Sequence, residues 1–283
     1  MNTPAFTHPL CSPAGIKERL SHFGLTPNKG LGQNFLSDEG LRDALINAMR
    51  IDGLPVLEIG PGLGALTEAL LLRASRVTAV EKDAAMVRVL QETLPSPKLT
   101  LIQGDILKVD LAALHQSFGG PFAVAGNLPY YITTPIVLLL LGCSLPLTSM
   151  TLMLQQEAAE RFFARPNGRV YGPLAVAAQC GYTVEEILKL PPSAYYPQPD
   201  VHSAVVRLAA KEHAMPEGFL VFLQRAFSMR RKTLVNNLLS AGYPRAQIYE
   251  ALSGMQLAEN IRTEALEPEA LLALYALLSA HSG

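Results

Sequence analysis

Between Pro55 and Gln155 the apolar positions fall into short runs rich in Val, Ile, Leu and Phe. Each run is followed by a stretch of helical length and amphipathic character. Val56–Ile59, Val77–Val80, Leu99–Ile102, Phe122–Ala125 and Met150–Leu154 read as strands, with helices between them at Ala65–Arg73, Ala84–Leu94 and Pro135–Leu141. This alternation predicts an α/β domain with βαβ units and a parallel sheet. Thr183–Leu190 and Val201–Leu208 read as two more strands, separated by the turn-rich PPSAYYPQPD, whose prolines and Asp200 oppose regular structure. After Leu208 the strand pattern stops, and Pro216–Met229, Lys232–Ser240, Ala246–Leu252 and Glu267–Leu278 have helical spacing. The expected division is a sheet domain over 1–208 and a smaller all-helical domain over 209–283. The segment before Leu54 also reads as helical, with Ser37 and Asp38 as caps for Glu39–Met49.

Composition narrows the class. A chain of 283 residues that is 49% hydrophobic and 17% charged has the make-up of an ordered globular protein, which excludes disorder and fibrous repeats. Its longest apolar stretch, Ile136–Leu147, is interrupted by Gly142 and Pro146 and falls short of the roughly 20 residues that cross a bilayer. No membrane partner is expected. No apolar run behind Lys17 and Arg19 resembles a secretory signal, and the expected location is the cytoplasm. Cys11, Cys143 and Cys180 form no close-spaced pair and read as small core hydrophobes; the scattered histidines have no ligand spacing, so no metal is expected.

The net charge of −1 gives no global reason to expect a nucleic acid, but the charge is unevenly spread. No acidic residue lies between Glu217 and Glu250, whereas Arg225, Arg230, Arg231, Lys232 and Arg245 do. That is a local basic surface inside a balanced chain, with a solvated helical face as its ordinary alternative. Arg161, Arg165 and Arg169, in a Gly- and Pro-containing loop after the fifth strand, are a second candidate surface.

The candidate chemistry sits at the strand ends. The first strand runs into Glu58-Ile-Gly60-Pro-Gly62-Leu-Gly64, a glycine-rich turn opening a helix, where the backbone can approach a nucleotide or nucleoside closely. The second ends at Glu81, whose carboxylate can accept hydrogen bonds from ribose hydroxyls; this fits NAD and S-adenosylmethionine equally. The third ends at Gly104-Asp105, suited to accept from an adenine amino group or to cap the stretch that follows. The fourth ends in Asn127-Leu128-Pro129-Tyr130. An amide oxygen beside a proline-stiffened turn can accept from an exocyclic amine, and a tyrosine face can support the flat base carrying it. These ends line one crevice, so the residues point to an aminated base and a nucleoside cofactor.

NLPY after EIGPGLG, together with GLGQNFL at Gly30–Leu36, Tyr196–Pro199 leading to VHSAVVRL, and FSMRRKTLVNNL at Phe227–Leu238, resembles the small-subunit (16S) rRNA adenine dimethyltransferases of the KsgA type. The resemblance runs from about Lys29 to Leu278. It implies a Rossmann-like methyltransferase sheet and S-adenosylmethionine as methyl donor, bound through Asn34, Leu36, Gly60, Gly62, Glu81, Asp105 and Asn127. It implies two adjacent adenosines near the 3′ end of 16S rRNA, in the small ribosomal subunit, as substrate. Asn127 and the Leu128 carbonyl would hold the amine, Tyr130 would stack on the base, and Tyr195 would cover its other face. Arg230, Arg231 and Lys232 would contact RNA. Tyr195 stands where the family commonly has Phe, and Asp200 where a basic residue is common. A monomer is expected, with a role in ribosome biogenesis beside catalysis. A large-subunit rRNA adenine methyltransferase and a non-catalytic small-subunit assembly factor stay open as alternatives; a dehydrogenase leaves NLPY unexplained.

Overall fold

The structure is a computed structural model that describes residues 4–129, 132–212 and 215–280. In chain order the first elements are α1 (Pro13–His22), β1 (Phe35–Leu36), α2 (Glu39–Met49), β2 (Pro55–Ile59), α3 (Ala65–Arg73), β3 (Arg76–Glu81), α4 (Ala84–Thr93), β4 (Leu99–Gln103), α5 (Leu111–Phe118) and β5 (Phe122–Asn127). They are followed by α6 (Thr133–Gly142), β6 (Leu147–Gln155), α7 (Gln156–Glu160), α8 (Pro173–Gly181), β7 (Tyr182–Leu190), β8 (Tyr195–Tyr196) and β9 (Ser203–Ala210). The helices α9 (Phe219–Ala226), α10 (Leu234–Ser240), α11 (Arg245–Gly254) and α12 (Pro268–Ser279) complete the chain.

Among the described residues the main sheet has seven strands in the order β4-β3-β2-β5-β6-β9-β7. β4, β3, β2, β5 and β6 run parallel, and β9 returns antiparallel to β6 with Leu152 opposite Val206. This is the Rossmann-like α/β sheet. Its strand order reverses at β2, which pairs with β3 on one side and β5 on the other, so a crevice opens beyond the carboxyl ends of these strands. Val56, Leu57, Val77, Ala79, Val124 and Leu152, all fully buried, form the hydrophobic body that fixes those ends in space.

The chain forms two compact units. One comprises Met1–Ile136, Leu145–Ala159 and Glu185–Ala209; the other, predominantly helical, comprises Val137–Ser144, Glu160–Val184 and Ala210–Gly283. In the helical unit Phe219, Phe222, Leu223, Leu234, Leu238, Ile248, Leu271 and Leu274 are buried together. No helix among the described residues is long and apolar enough to cross a membrane.

Several local expectations change. Strand β9 starts at Ser203 rather than Val201, because Val201 and His202 are exposed and Gln156 donates its backbone N–H to the His202 carbonyl. Helix α9 is shorter than Pro216–Met229, starting after Gly218 in the left-handed region. The turn-rich segment carries one ordered piece: β8 pairs antiparallel with β1. Only Cys11 is a core hydrophobe, whereas Cys143 and Cys180 are half-buried. Asp38, not Ser37, caps α2 by accepting from the Leu41 N–H.

Candidate active site

A cleft of about 1110 Å³, open to solvent, lies beyond the carboxyl ends of β2, β3, β4 and β5. Asn34, Leu36, Gly60, Gly62, Glu81, Asp105, Asn127 and Leu128 all line it. Tyr130 lies outside the described residues. Tyr195 is not in the lining: it is 2% exposed, packed in the hydrophobic core with Leu36, Leu190, Ala194 and Val205. Asp200 is exposed.

The glycine turn is built by left-handed backbone at Gly60, Gly62 and Gly64, with φ of 68°, 57° and 93°. A Cβ on Gly62 would stand 3.1 Å from the Phe35 ring, and one on Gly64 only 2.5 Å from Leu94. The positive φ favours glycine at these positions, and a Cβ would in addition press on the Phe35 ring or the Leu94 side chain. At Gly60 the nearest atom to such a Cβ is the Asn127 carbonyl oxygen at 3.8 Å, so this side of the turn is open towards the cleft.

Glu81 is anchored rather than solvated. Its Oε2 accepts from the Gly62 N–H at 3.0 Å and its Oε1 from the Asp83 N–H at 2.8 Å, with only 7% of the residue exposed. Each oxygen keeps a lone-pair direction for a ligand hydroxyl. Burial raises its carboxyl above the usual range, and the two backbone N–H groups oppose that rise. The helix cap nearby is Asp83, which accepts from Ala85 N–H.

Asp105 does two things at once. Its Oδ1 accepts from the Leu107 N–H and caps the short 3₁₀ turn Ile106–Lys108, while Oδ2 pairs with Lys82 Nζ at 3.0 Å. The Lys82 ammonium, followed by the Leu107 N–H, holds this carboxyl below the usual range.

At the end of β5, the Asn127 Nδ2 donates to the Asn34 carbonyl at 2.8 Å. A carbonyl can only accept, so this bond fixes which way the amide faces and leaves Oδ1 as an acceptor. Leu128 N–H donates to the Met153 carbonyl across to β6, and the Pro129 carbonyl accepts from Ile132 N–H and the Thr133 hydroxyl. The Asn-Leu-Pro turn is therefore held at both ends.

Three lining residues were not anticipated as site residues. Glu58 is 1% exposed; burial pushes its carboxyl up to about 8, the Thr67 hydroxyl opposes that rise and the nearby Glu81 charge adds to it. Gln33 donates to Asp83 Oδ2 at 2.9 Å, tying the segment before β1 to the start of α4. Lys82 occupies one oxygen of Asp105. Glu58 stood in the motif, but only its burial sets it apart from an ordinary strand-end acid.

On the helical unit, Arg231 and Lys232 are exposed in the turn after α9. Arg230 is half exposed at its side chain but engaged, pairing with Glu264 Oε2 at 3.3 Å and donating to the Arg169 carbonyl at 2.7 Å. Arg165 and Arg169 are exposed in the loop before α8, and Arg161 is half-buried in a 3₁₀ turn rather than in the loop itself.

The family model for ribosomal RNA adenine dimethylase matches residues 24–279. Ribosomal RNA small subunit methyltransferase A from Bacillus pumilus is 37% identical over 274 residues, covering 92% of this chain and 94% of that protein. The protein of the same name from Desulfitobacterium hafniense is 39% identical over 259 residues, covering 89% and 92%. Among solved structures, a dimethyladenosine transferase from Plasmodium falciparum has a TM-score of 0.72 at 25% identity, covering 87% of this chain and 97% of that one. The 23S rRNA methyltransferase ErmE has a TM-score of 0.64 at 26% identity, covering 87% of this chain and 100% of that one. A match across nearly the whole length establishes that this chain belongs to the ribosomal RNA adenine dimethylase family.

Proposed function

We propose that the chain dimethylates two adjacent adenosines near the 3′ end of 16S rRNA in the small ribosomal subunit, with S-adenosylmethionine as donor. The observation that carries this reading is the Asn127 amide: its Nδ2 is committed to the Asn34 carbonyl, so Oδ1 is left to accept from an exocyclic amine at the mouth of the cleft. The small-subunit branch is favoured because the relatives named for that subunit are 37% and 39% identical over about nine-tenths of the chain. A cytoplasmic location fits the three cysteines without a close-spaced pair, with a monomer as the default state.

The donor set suits a nucleoside. Glu81 and Asp105 line the cleft as acceptors, Glu81 keeps lone pairs for ribose hydroxyls, and Glu58, its carboxyl pushed up to about 8, stands beside them largely as a neutral acid. Asn34, Leu36, Gly60 and Gly62 would form its walls, and Asp105 would accept from the adenine amine. When bound, S-adenosylmethionine supplies a methyl group on a sulfonium, already a strong electrophile. The protein's task is alignment of the amine at near-attack distance. Asn127 Oδ1 and the Leu128 carbonyl accept the two N–H bonds of the target amine, which draws its lone pair out of the adenine ring and towards the methyl. After transfer the nitrogen is cationic, its N–H groups stay hydrogen-bonded to these two oxygens, and one of its protons passes directly to water. A second methyl follows once the monomethylated amine has rotated, leaving one N–H for these acceptors. Tyr130 would stack on the base, whereas Tyr195, buried behind β1, would support the wall rather than touch the substrate.

A base must leave its stack to enter the cleft, so exposed single-stranded or loop adenosines are the targets. The helical region from 209 onward, with the Arg230–Lys232 turn, would position the RNA. The test is transfer of labelled methyl to unmethylated small subunits, naked 16S rRNA, large-subunit rRNA and duplex DNA, with nucleoside identification. Dimethyladenosine confined to small-subunit substrates is expected. Cofactor binding without transfer to any of them would replace this reading with that of an assembly factor.

A further inference from the structure

The loop between the 3₁₀ turn Arg161–Phe163 and α8 belongs wholly to the helical unit, and its main chain is fastened throughout. The Gln179 side chain on α8 donates to both the Phe162 and Ala164 carbonyls at 2.9 Å. A tight turn follows, with Gly168 N–H donating to the Arg165 carbonyl at 2.9 Å and Asn167 at φ 63°. A Cβ on Gly168 would stand 2.8 Å from that carbonyl, so the turn admits only glycine there. Beyond it, Asn167 N–H donates to the Glu264 carbonyl at 2.7 Å, and Arg230 donates to the Arg169 carbonyl at 2.7 Å. The Tyr171 hydroxyl closes the loop on the Leu266 carbonyl at 2.8 Å.

The side chains contrast with that main chain. Arg165 and Arg169 are exposed, as are Phe163 at 37% and Val170 at 46%. The surface is thus a rigid backbone presenting two guanidinium groups interleaved with an aromatic and an aliphatic side chain. Glu264 joins it to the neighbouring bases: its Oε2 pairs with Arg230 and its Oε1 with Arg262 at 3.5 Å, and Arg231 and Lys232 directly follow Arg230. Exposed guanidinium forks suit phosphate oxygens, and an exposed ring among them suits the face of an unpaired base.

We propose that residues 163–170 are an RNA-contact surface continuous with Arg231 and Lys232, and that Arg230 with Glu264 is the latch that holds it in place. Arg165 and Arg169 contact phosphates, and Phe163 stacks on an unpaired base. Arg230 is a positioning residue, since all three of its guanidinium nitrogens are engaged by Glu264 or the Arg169 carbonyl. The inference rests on the reading of the chain as an rRNA enzyme and adds to it where RNA is gripped.

The latch and simple electrostatics predict opposite signs for one substitution. Glu264→Gln removes a carboxylate from a basic surface, which by charge alone tightens binding to a polyanion. If the carboxylate is a latch, binding weakens, by about three- to tenfold, and amide hydrogen exchange in residues 164–171 accelerates. The experiment measures affinity for unmethylated small subunits and for naked 16S rRNA over a salt series. The paired change Arg165→Gln with Arg169→Gln, on exposed positions, should lower affinity about tenfold and reduce the salt slope by roughly 1.5. Phe163→Ala should weaken binding with the slope unchanged. Adding Glu264→Gln to the arginine pair should cost little more, because the latch acts through those arginines. Wild-type affinity and slope in the arginine pair, tighter binding by Glu264→Gln, or an effect on particles that is absent with naked rRNA would overturn the proposal. If the wild-type chain neither binds nor methylates either RNA substrate, the functional reading itself falls.

Discussion

The strand-end cleft and the basic surface of the helical unit handle charge in opposite ways. In the cleft the decisive groups are acids and an amide, buried or nearly so, each fixed by hydrogen bonds to main chain: Glu81 by Gly62 and Asp83, Asn127 by Asn34. On the helical unit the groups are cations left in water, and it is the main chain beneath them that is fixed. A small cationic ligand bound for group transfer needs sub-ångström placement, which low-dielectric burial and parallel strands supply. A long polyanion needs many similar contacts, each weak in water and tolerant of position. Substitutions in the first region should therefore act on turnover and cofactor affinity, and those in the second on salt-dependent RNA affinity.

The largest effect should come from Asn127→Ala, which removes the proposed amine acceptor. Turnover is expected to fall by about 10²–10³-fold, with cofactor Kd changed by no more than about threefold. Equal losses in both, measured by single-turnover transfer and by calorimetry, would move Asn127 from the reacting amine to the cofactor. Next, Glu81→Ala should weaken cofactor binding by about 10–100-fold, since hydrogen bonds to a charged group are worth roughly 1.5–3 kcal/mol and the Gly62 and Asp83 N–H groups lose their acceptor too.

A third test concerns pH. The Glu58 carboxyl ordinarily titrates near 4.5 but is pushed up to about 8 in the folded protein, so between those values the folded state holds more protons than the unfolded one. Stability should then decline as pH rises through that window, at up to about 1.4 kcal/mol per pH unit. Glu58→Gln has no proton to lose: it should flatten this dependence and be more stable than the wild type at about pH 8, as read by denaturant melts. A slope unchanged by the substitution would mean that another group governs it. The smallest effect should come from the open surface, where Arg231→Gln with Lys232→Gln is expected to weaken rRNA binding severalfold and lower the salt slope by about 1.5 without altering cofactor Kd.

Much of the sheet unit could be read from the chain because its parallel strands are short apolar runs and its candidate site residues stand one to three positions beyond each run. Glu81, Asp105 and Asn127 are legible for that reason. What the chain concealed depends on burial and on distant pairing. Tyr195 looks like any aromatic in a proline-rich turn until β8 pairs with β1 and turns it into the core. Two-residue strands have no periodicity to detect. Helix α8, with the sequence PLAVAAQCG, is apolar almost all round and so lacks the amphipathic rhythm that marks a surface helix. Arg230 reads as one of three equivalent bases, although its partners lie 34 and 61 positions away in the chain.

The bond from Asn127 to Asn34 has a consequence for how sequence change can reach this site. The acceptor is a main-chain carbonyl, and every amino acid at position 34 would bring one. The orientation of the amide is therefore inherited from the path of the backbone through the segment before β1, not from the identity of its side chains. Alanine scanning of that segment would pass over the contact. A one-residue insertion between Gly32 and Gln33, or replacement of the Asn34–Phe35 peptide by an ester, would disturb it while leaving every side chain of the site intact.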